Sequence, residues 1–235
     1  MDKMDKNYRI QSLRGVAFLL VFVSHCTLFT NKTGGNLFGW TGALGVELFL
    51  ILSGYLSFKT FQGVINIKEY YRKKLARFFP LHWLTLLLAI PLYFPLSYKD
   101  FLKIIINGFL LQSWIPSYGV YFSINPVSWY LSIMVFFVLI TPIANRFLKK
   151  LSVFQGVLLL LLFEITEIVL TTFSSDLIVD KHWLVYIFPV VRSLDFLAGG
   201  VLYIVSTSAN KLSRTKTKAI GCMGGTILIA SITFI

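Results

Sequence analysis

The sequence predicts an all-α protein that forms a bundle of transmembrane helices. Of its 235 residues, 56% are hydrophobic and only 14% are charged, and the mean hydropathy is +0.75. Soluble globular domains have about 25% charged residues, so this composition excludes an ordinary soluble domain and a disordered chain. The chain also contains several long apolar runs. A bilayer core is crossed by about 20 helical residues, which is the length of these runs.

Seven apolar runs are predicted to span the membrane. They cover residues 12–30, 40–58, 78–96, 126–146, 152–172, 183–205 and 219–235. A shorter run at 101–115 contains Lys103 and Asn107, and we expect it to be re-entrant or interfacial. The last run ends abruptly without a flanking charge, and together with the odd number of spans this predicts a truncated chain.

The distribution of charge predicts the orientation. The net charge of +12 is typical of nucleic-acid binders, but the positive residues lie in short clusters between apolar runs. If the N-terminus is cytoplasmic and 101–115 does not cross, most Lys and Arg residues fall on the cytoplasmic side, as the positive-inside rule requires. The expected partner is therefore the lipid bilayer, and no nucleic acid is expected.

The first apolar run contains Arg14 and His25, which are functional candidates because ionisable residues inside a span are costly. Eleven residues amount to about three helical turns, so both side chains leave one helix face, about 16 Å apart. Arginine suits a phosphate group, and histidine can act as a general base near neutral pH. A membrane anchor and a hydrogen-bonded structural histidine explain the spacing equally well.

The second apolar run contains Glu47, close to a Ser53-Gly54 pair. Glu47 would lie in the same half of the bilayer as His25, where it could fix the orientation of the imidazole and stabilise its cation. Alternatively, Glu47 forms a hydrogen bond near the interface, and the small residues allow close helix packing.

The stretch 68–80 is strongly basic and contains Arg72, Lys74 and Arg77. Composition alone favours a cytoplasmic anchor or a contact with anionic lipid. The functional alternative is a cradle for a phosphorylated cytosolic donor, in which Lys74 and Arg77 share one face if the segment is helical.

Other polar and aromatic residues leave two explanations open. Arg192 and Asp195 are three residues apart, so they form an internal ion pair or Arg192 contacts an acidic acceptor. Several aromatic residues either stack on sugar rings or belong to an interfacial belt: Tyr118, Tyr121, Phe122 and Trp129.

Five motifs, in order along residues 8–206, resemble the membrane acyltransferase-3 family, whose members O-acylate cell-surface glycans. They are Arg14-x10-His25, Gly45-Val46-Glu47-x-Phe49-x3-Ser53-Gly54, Lys74-x-x-Arg77 before Phe78-Phe79-Pro80, Trp129-Tyr130-Leu131-Ser132, and Phe196-x-x-Gly199. The chain departs from the family at Lys74, which replaces an arginine, and at Met134, where many members have glutamate.

The resemblance implies a single integral membrane acyltransferase domain over 1–235, in the cytoplasmic membrane of a bacterium. Such a domain transfers an acyl group, expected to be acetyl, from cytosolic acyl-CoA to a hydroxyl of a cell-surface or lipid-linked glycan. No permanently bound cofactor and no metal are expected. Members usually have about ten spans, which again predicts truncation.

The resemblance also assigns roles to residues. His25 is the expected general base, with Glu47 orienting it. The acyl-CoA phosphates are expected at Arg14, Arg72, Lys74 and Arg77. From their residue types and positions, and not from the resemblance, Trp129, Ser132 and Arg192 are expected to bind the acceptor.

Three alternatives stay open. In the first, the chain is a transporter or flippase whose substrate moves along the same buried charges. In the second, the chain is an inactive fragment. Within the enzyme hypothesis, an acyl-enzyme route would use Ser24, Ser53 or Ser132 as nucleophile. Direct transfer is favoured because Ser24, which alone has an evident neighbouring base, leaves its helix about 100° from His25.

Overall fold

The computed structural model describes residues 8–26, 39–64, 66–174 and 180–209, and this part of the chain is helical without any strand. The predicted all-α class is therefore confirmed. The α-helices are Tyr8–Cys26 (α1), Gly39–Phe61 (α2), Ile67–Ala89 (α3), Tyr98–Gly108 (α4), Tyr118–Tyr121 (α5), Trp129–Leu148 (α6), Val153–Phe173 (α7) and Pro189–Ala209 (α8). Three 3-10 turns, Ile90–Tyr93, Gln112–Trp114 and Pro126–Ser128, and a π-helix, Trp183–Ile187, complete the described elements.

Five of the described helices are long and apolar enough to cross a membrane. These segments are Thr41–Phe61, Ile67–Tyr93, Pro126–Leu148, Val153–Phe173 and Pro189–Ser208. They overlap the predicted runs 40–58, 78–96, 126–146, 152–172 and 183–205. Helix α1 covers most of the run 12–30 but is not among the five, because polar residues such as Arg14 and His25 reduce its hydropathy. The run 219–235 lies outside the described residues.

Two predicted boundaries differ from the structure. Helix α3 begins at Ile67, where the Asn66 side chain accepts a hydrogen bond from the backbone N–H of Glu69, so the basic stretch is part of the helix. The run 183–205 is interrupted at Phe188, whose extended backbone separates the π-helix from α8. Pro189 explains this break, because proline disfavours a helical conformation in the residue before it.

The segment 101–115 contains helix α4 and a 3-10 turn. Ser97 and Asp100 form a reciprocal capping box at the start of α4, with the hydroxyl accepting from the Asp100 backbone N–H and the carboxylate accepting from the Ser97 backbone N–H. The helix has 11 residues. At about 1.5 Å per residue, it is too short to cross a bilayer core.

The contacts divide the chain into two compact units. Unit 1 comprises Met1–Lys59, Leu151–Ile165 and Asp195–Ile235, and unit 2 comprises Thr60–Lys150 and Thr166–Leu194. In unit 1, glycines bring helix backbones together: a Cβ atom at Gly54 would collide with the carbonyl oxygen of Phe196, and one at Gly199 with that of Ile51. Only glycine allows α2 and α8 to approach this closely.

In unit 2, buried polar side chains form a hydrogen-bond network that holds together α3 and the segment between α3 and α6. His82 Nε2 lies 2.8 Å from the Asn107 carbonyl, and Asn107 Nδ2 donates to Ser123 Oγ at 2.9 Å. The network supports two non-glycine residues in left-handed conformations, Leu110 at φ 56° and Ile124 at φ 60°. Such conformations are costly, above all for the β-branched isoleucine, so they persist only where surrounding contacts enforce them.

Candidate active site

His25 lies near the C-terminal end of α1, and its ring is held by its own helix. Nδ1 is 2.8 Å from the Val21 carbonyl oxygen and 3.2 Å from Ser24 Oγ. A carbonyl oxygen can only accept a hydrogen bond, so in this contact Nδ1 carries a proton and donates it to Val21. The residue is exposed. The arrangement leaves Nε2 as the ring nitrogen that takes no part in these two contacts.

Glu47 lies on α2, also in unit 1, and only 2% of it is exposed. The expected partner was His25, but the polar contacts of His25 among the described residues are with Val21 and Ser24. A carboxylate oxygen of Glu47 instead lies within 4.8 Å of one from Asp195 on α8. The close glycine contact between α2 and α8 explains this proximity.

Arg14 is the third predicted site residue in unit 1, beside His25 and Glu47. It is exposed on α1, and the helix is continuous from Arg14 to His25. The two residues therefore lie on one helix face about 16 Å apart, as their spacing predicts.

The three basic residues predicted to bind phosphate lie on α3 in unit 2. The helical conformation of their segment is confirmed, so Lys74 and Arg77 share one face. Lys74 is half-buried, and its Nζ lies 5.9 Å from the centre of the Tyr70 ring, whereas Arg72 and Arg77 are exposed. The face shared by Lys74 and Arg77 therefore offers one accessible guanidinium group and one ammonium group to an anion, whereas Arg72, two residues before Lys74, lies on a different side of the helix.

The residues predicted to bind the acceptor are buried in unit 2. Trp129 and Arg192 both contact Tyr186: the Trp129 ring is 5.1 Å and the Arg192 guanidinium 5.8 Å from the Tyr186 ring. Ser132 donates a hydrogen bond of 2.6 Å to the carbonyl oxygen of Leu110. The structure thus brings Trp129 and Arg192 to one ring, while the Ser132 hydroxyl supports the strained backbone at Leu110.

A second polar cluster links α5 to the π-helix, outside the spanning helices. Tyr121 is fully buried, and its hydroxyl donates a 2.7 Å hydrogen bond to Asp180. The same carboxylate accepts from the backbone N–H of Trp183 at 3.0 Å. Sequence reasoning missed this pair, because its members are far apart in the chain and Asp180 belongs to no recognised motif.

The electrostatics of this cluster follow from burial and hydrogen bonding. Burial and the hydrogen bond to Asp180 raise the pKa of the Tyr121 hydroxyl. Burial opposes ionisation of Asp180, but the hydrogen bonds from Trp183 and Tyr121 outweigh it, so the pKa of that carboxyl is lowered. Partial burial lowers the pKa of His182, and the nearby Asp180 charge only partly offsets this. At neutral pH the cluster therefore contains an anionic carboxylate and a neutral imidazole.

Comparison with known proteins identifies the family of this chain. The family model described as an acyltransferase domain, of the acyltransferase-3 type, matches residues 7–235. The chain belongs to the acyltransferase-3 family. The resemblance inferred from the five motifs is thus confirmed, and the family together with the five long apolar helices indicates a membrane protein.

Two relatives carry acyltransferase names. "Putative acetyltransferase ORF330" of Acidianus two-tailed virus is 28% identical over 220 residues, which cover 91% of this chain and 63% of the relative. "Acyltransferase MdmB" of Streptomyces mycarofaciens is 23% identical over 218 residues, which cover 83% of this chain and 56% of the relative. The chain therefore spans less than two thirds of the length of these relatives. No solved structure matches.

Two of the acyltransferase-3 motifs pack against each other in the structure. The Ser53-Gly54 pair on α2 and the Phe196-x-x-Gly199 motif on α8 meet in unit 1, where Gly54 faces the backbone of Phe196. The rings of Phe58 and Phe196 pack beside this contact with their centres 5.9 Å apart. These motif residues act through helix packing, which sets the positions of Glu47 and Asp195.

Proposed function

We propose that this acyltransferase transfers an acetyl group from cytosolic acetyl-CoA to a hydroxyl of a cell-surface or lipid-linked glycan. The observation that carries the proposal is the orientation of His25, whose Nδ1 faces the Val21 carbonyl oxygen at 2.8 Å. This contact leaves Nε2 as a base on an exposed side chain. The acetyltransferase name of one relative supports acetyl as the group transferred.

In the proposed reaction, His25 Nε2 removes the proton from the sugar hydroxyl as its oxygen attacks the thioester carbonyl carbon. The new C–O ester bond forms and the C–S bond breaks, so the thiolate of CoA leaves and takes the proton from the imidazolium. The Val21 carbonyl stabilises the imidazolium by accepting the hydrogen bond from Nδ1–H. Glu47 lies on helix α2, in the same unit as His25.

The donor is proposed to be bound through its phosphates. Arg14 in unit 1 carries an exposed guanidinium group, and in unit 2 Arg72 and Arg77 carry exposed guanidinium groups and Lys74 an ammonium group, so each unit by itself offers candidate phosphate contacts. Charge-assisted hydrogen bonds from guanidinium groups to phosphate are among the stronger ones in proteins. In this proposal the donor is a diffusible substrate, and the enzyme is a multi-pass protein of a bacterial cytoplasmic membrane.

The acceptor is proposed to reach Trp129, Ser132 and Arg192. Trp129 and Arg192 meet at the ring of Tyr186, so an aromatic surface and a buried cation lie together in unit 2. An aromatic face suits the apolar C–H face of a sugar, and the guanidinium suits an acidic or hydroxyl oxygen.

The test is a measurement of base-labile ester-linked acetate on surface glycan. Cells carry the full gene, His25→Ala or no gene, and Cys26→Ala is the matched control because Cys26 is the next residue on α1 and is half-buried. We expect ester acetate with the wild type and Cys26→Ala and at least a hundredfold less with His25→Ala. Equal acetate with His25→Ala would remove His25 from the mechanism. Absence of acetate with the wild type would contradict acetyl transfer to glycan.

A further inference from the structure

Five aromatic rings in unit 2 form a continuous row, which we call the aromatic row: Tyr118, Phe122, His182, Tyr186 and Trp129. Successive ring centres are 5.3, 5.9, 5.2 and 5.1 Å apart in that order. Separations of 4.5–7 Å are typical of aromatic pairs in contact. The first four rings belong to segments outside the spanning helices, and the fifth opens α6.

The aromatic row leads from the surface into the interior. Tyr118 is 69% exposed, whereas Trp129 at the other end is 9% exposed. Arg192, which is 4% exposed, places its guanidinium 5.8 Å from the ring of Tyr186. The row therefore connects an accessible ring with two of the residues assigned to the acceptor.

The row is held in place by the buried cluster beneath it. Tyr121 packs against Tyr118 and Phe122, with ring centres 5.7 and 4.7 Å away. Its hydroxyl is bound to Asp180, which also accepts from the backbone N–H of Trp183. These bonds tie α5 to the π-helix, so the rings from the two segments are preorganised.

The arrangement differs from a belt of interfacial aromatics. Belt residues face the lipid headgroups individually, with their rings at the level of the bilayer surface. Here each ring contacts the next one, and the last contacts a ring that carries a buried cation. Four members, Tyr118, His182, Tyr186 and Trp129, also carry a polar atom for hydrogen bonding beside an apolar face.

We propose that the aromatic row is a saccharide-binding subsite that receives the acceptor, with a sugar ring stacked on Tyr118 and Phe122 at its open end. This inference rests on the proposed function, in which the acceptor is a glycan. The C–H face of a sugar packs on the rings, while its hydroxyls bond to the polar atoms of His182 and Tyr186. The row then directs the chain of sugars toward Trp129 and Arg192.

Direct binding tests the subsite without any turnover. The purified full-length protein is examined by saturation-transfer difference NMR, with oligosaccharides released from the host cell's surface glycan as the probe. The variants are Tyr118→Ala, Tyr118→Phe and, as a matched control, Tyr98→Ala, because Tyr98 is a tyrosine of similar exposure (76%) outside the row. We expect about tenfold weaker binding for Tyr118→Ala and wild-type binding for the other two. Equal binding by Tyr118→Ala and Tyr98→Ala, or no saturation transfer to the wild-type ligand, would overturn the proposal.

Transfer kinetics separate this inference from the proposed function. Tyr118→Ala is expected to raise KM for the glycan about tenfold without changing KM for acetyl-CoA. If the wild type acetylates glycan and Tyr118→Ala has an unchanged glycan KM, the subsite is wrong and the proposed function stands. If the wild type acetylates no glycan, the proposed function is wrong, and the binding experiment still decides whether the row binds saccharide.

Discussion

His25 Nδ1 lies 2.8 Å from the carbonyl oxygen of Val21, four residues earlier on the same helix. The orientation of the candidate base is therefore encoded within α1. This differs from a triad-like arrangement, in which a carboxylate from another part of the chain orients the histidine. Glu47 is buried beside Asp195 instead, so its influence on His25 is expected to be electrostatic.

Ser24 distinguishes direct transfer from an acyl-enzyme route. Its hydroxyl lies 3.2 Å from His25 Nδ1 and donates to the Val21 carbonyl at 2.7 Å. Ser24→Ala removes both contacts but leaves the bond between His25 and Val21, so kcat/KM for acyl transfer is expected to fall less than about tenfold. A thousandfold loss in the same assay, comparable to His25→Ala, would identify Ser24 as a nucleophile.

Local sequence predicted the features that depend on one helix. The spacing of Arg14 and His25 and the shared face of Lys74 and Arg77 follow from helical geometry alone. The proximity of Glu47 to Asp195 was beyond sequence reasoning, because it depends on how closely two distant helices pack.

The elements outside the spans also show that local features are predictable from sequence, whereas contacts between distant segments are not. Asp100 lies three residues after Ser97, which is a recognisable capping pattern, and the structure contains the cap. The bond between Tyr121 and Asp180 has no such local signal, because the two residues are 59 positions apart. The break at Phe188 was predictable in principle from Pro189, but hydropathy alone merged the two helices into one run.

Gly54 is expected to be essential for folding. In Gly54→Ala, the new Cβ atom collides with the backbone carbonyl of Phe196, which cannot move aside as a flexible side chain would. The two helices must separate, so we expect a loss of roughly 3 kcal/mol or more in the free energy of unfolding, or failure to fold. The apparent melting temperature of the detergent-solubilised protein measures this.

The matched control is Gly15→Ala in the same unit. A Cβ atom at Gly15 has no neighbour within 4 Å, so alanine there is expected to be neutral or to stabilise α1 by up to about 1 kcal/mol. Equal melting temperatures for Gly54→Ala and the wild type would contradict the close contact between α2 and α8.

Arg77 is expected to contribute to donor binding. Arg77→Ala removes an exposed guanidinium from α3, so KM for acetyl-CoA is expected to rise about tenfold while KM for the acceptor is unchanged. Lys73→Ala is the control on the same helix, because the Lys73 ammonium is paired with Glu69 at 2.6 Å on the surface. If both variants change the acetyl-CoA KM equally, the effect reflects the general positive charge of α3.

His182 is expected to make stability sensitive to mild acid. Partial burial holds the pKa of its ring below the ordinary value of 6.5, so the unfolded chain takes up a proton at a higher pH than the folded chain. The contribution of His182 to stability is therefore fully present above about pH 7 and is lost as the pH decreases below about 6.5, until the folded ring is also protonated. Asp180 does not contribute in this window, because its lowered pKa lies under the ordinary 3.8. Melting curves between about pH 7.5 and 5.5 should show a smaller loss for His182→Asn than for the wild type. An identical pH dependence of the two proteins would show that His182 is not the titrating group.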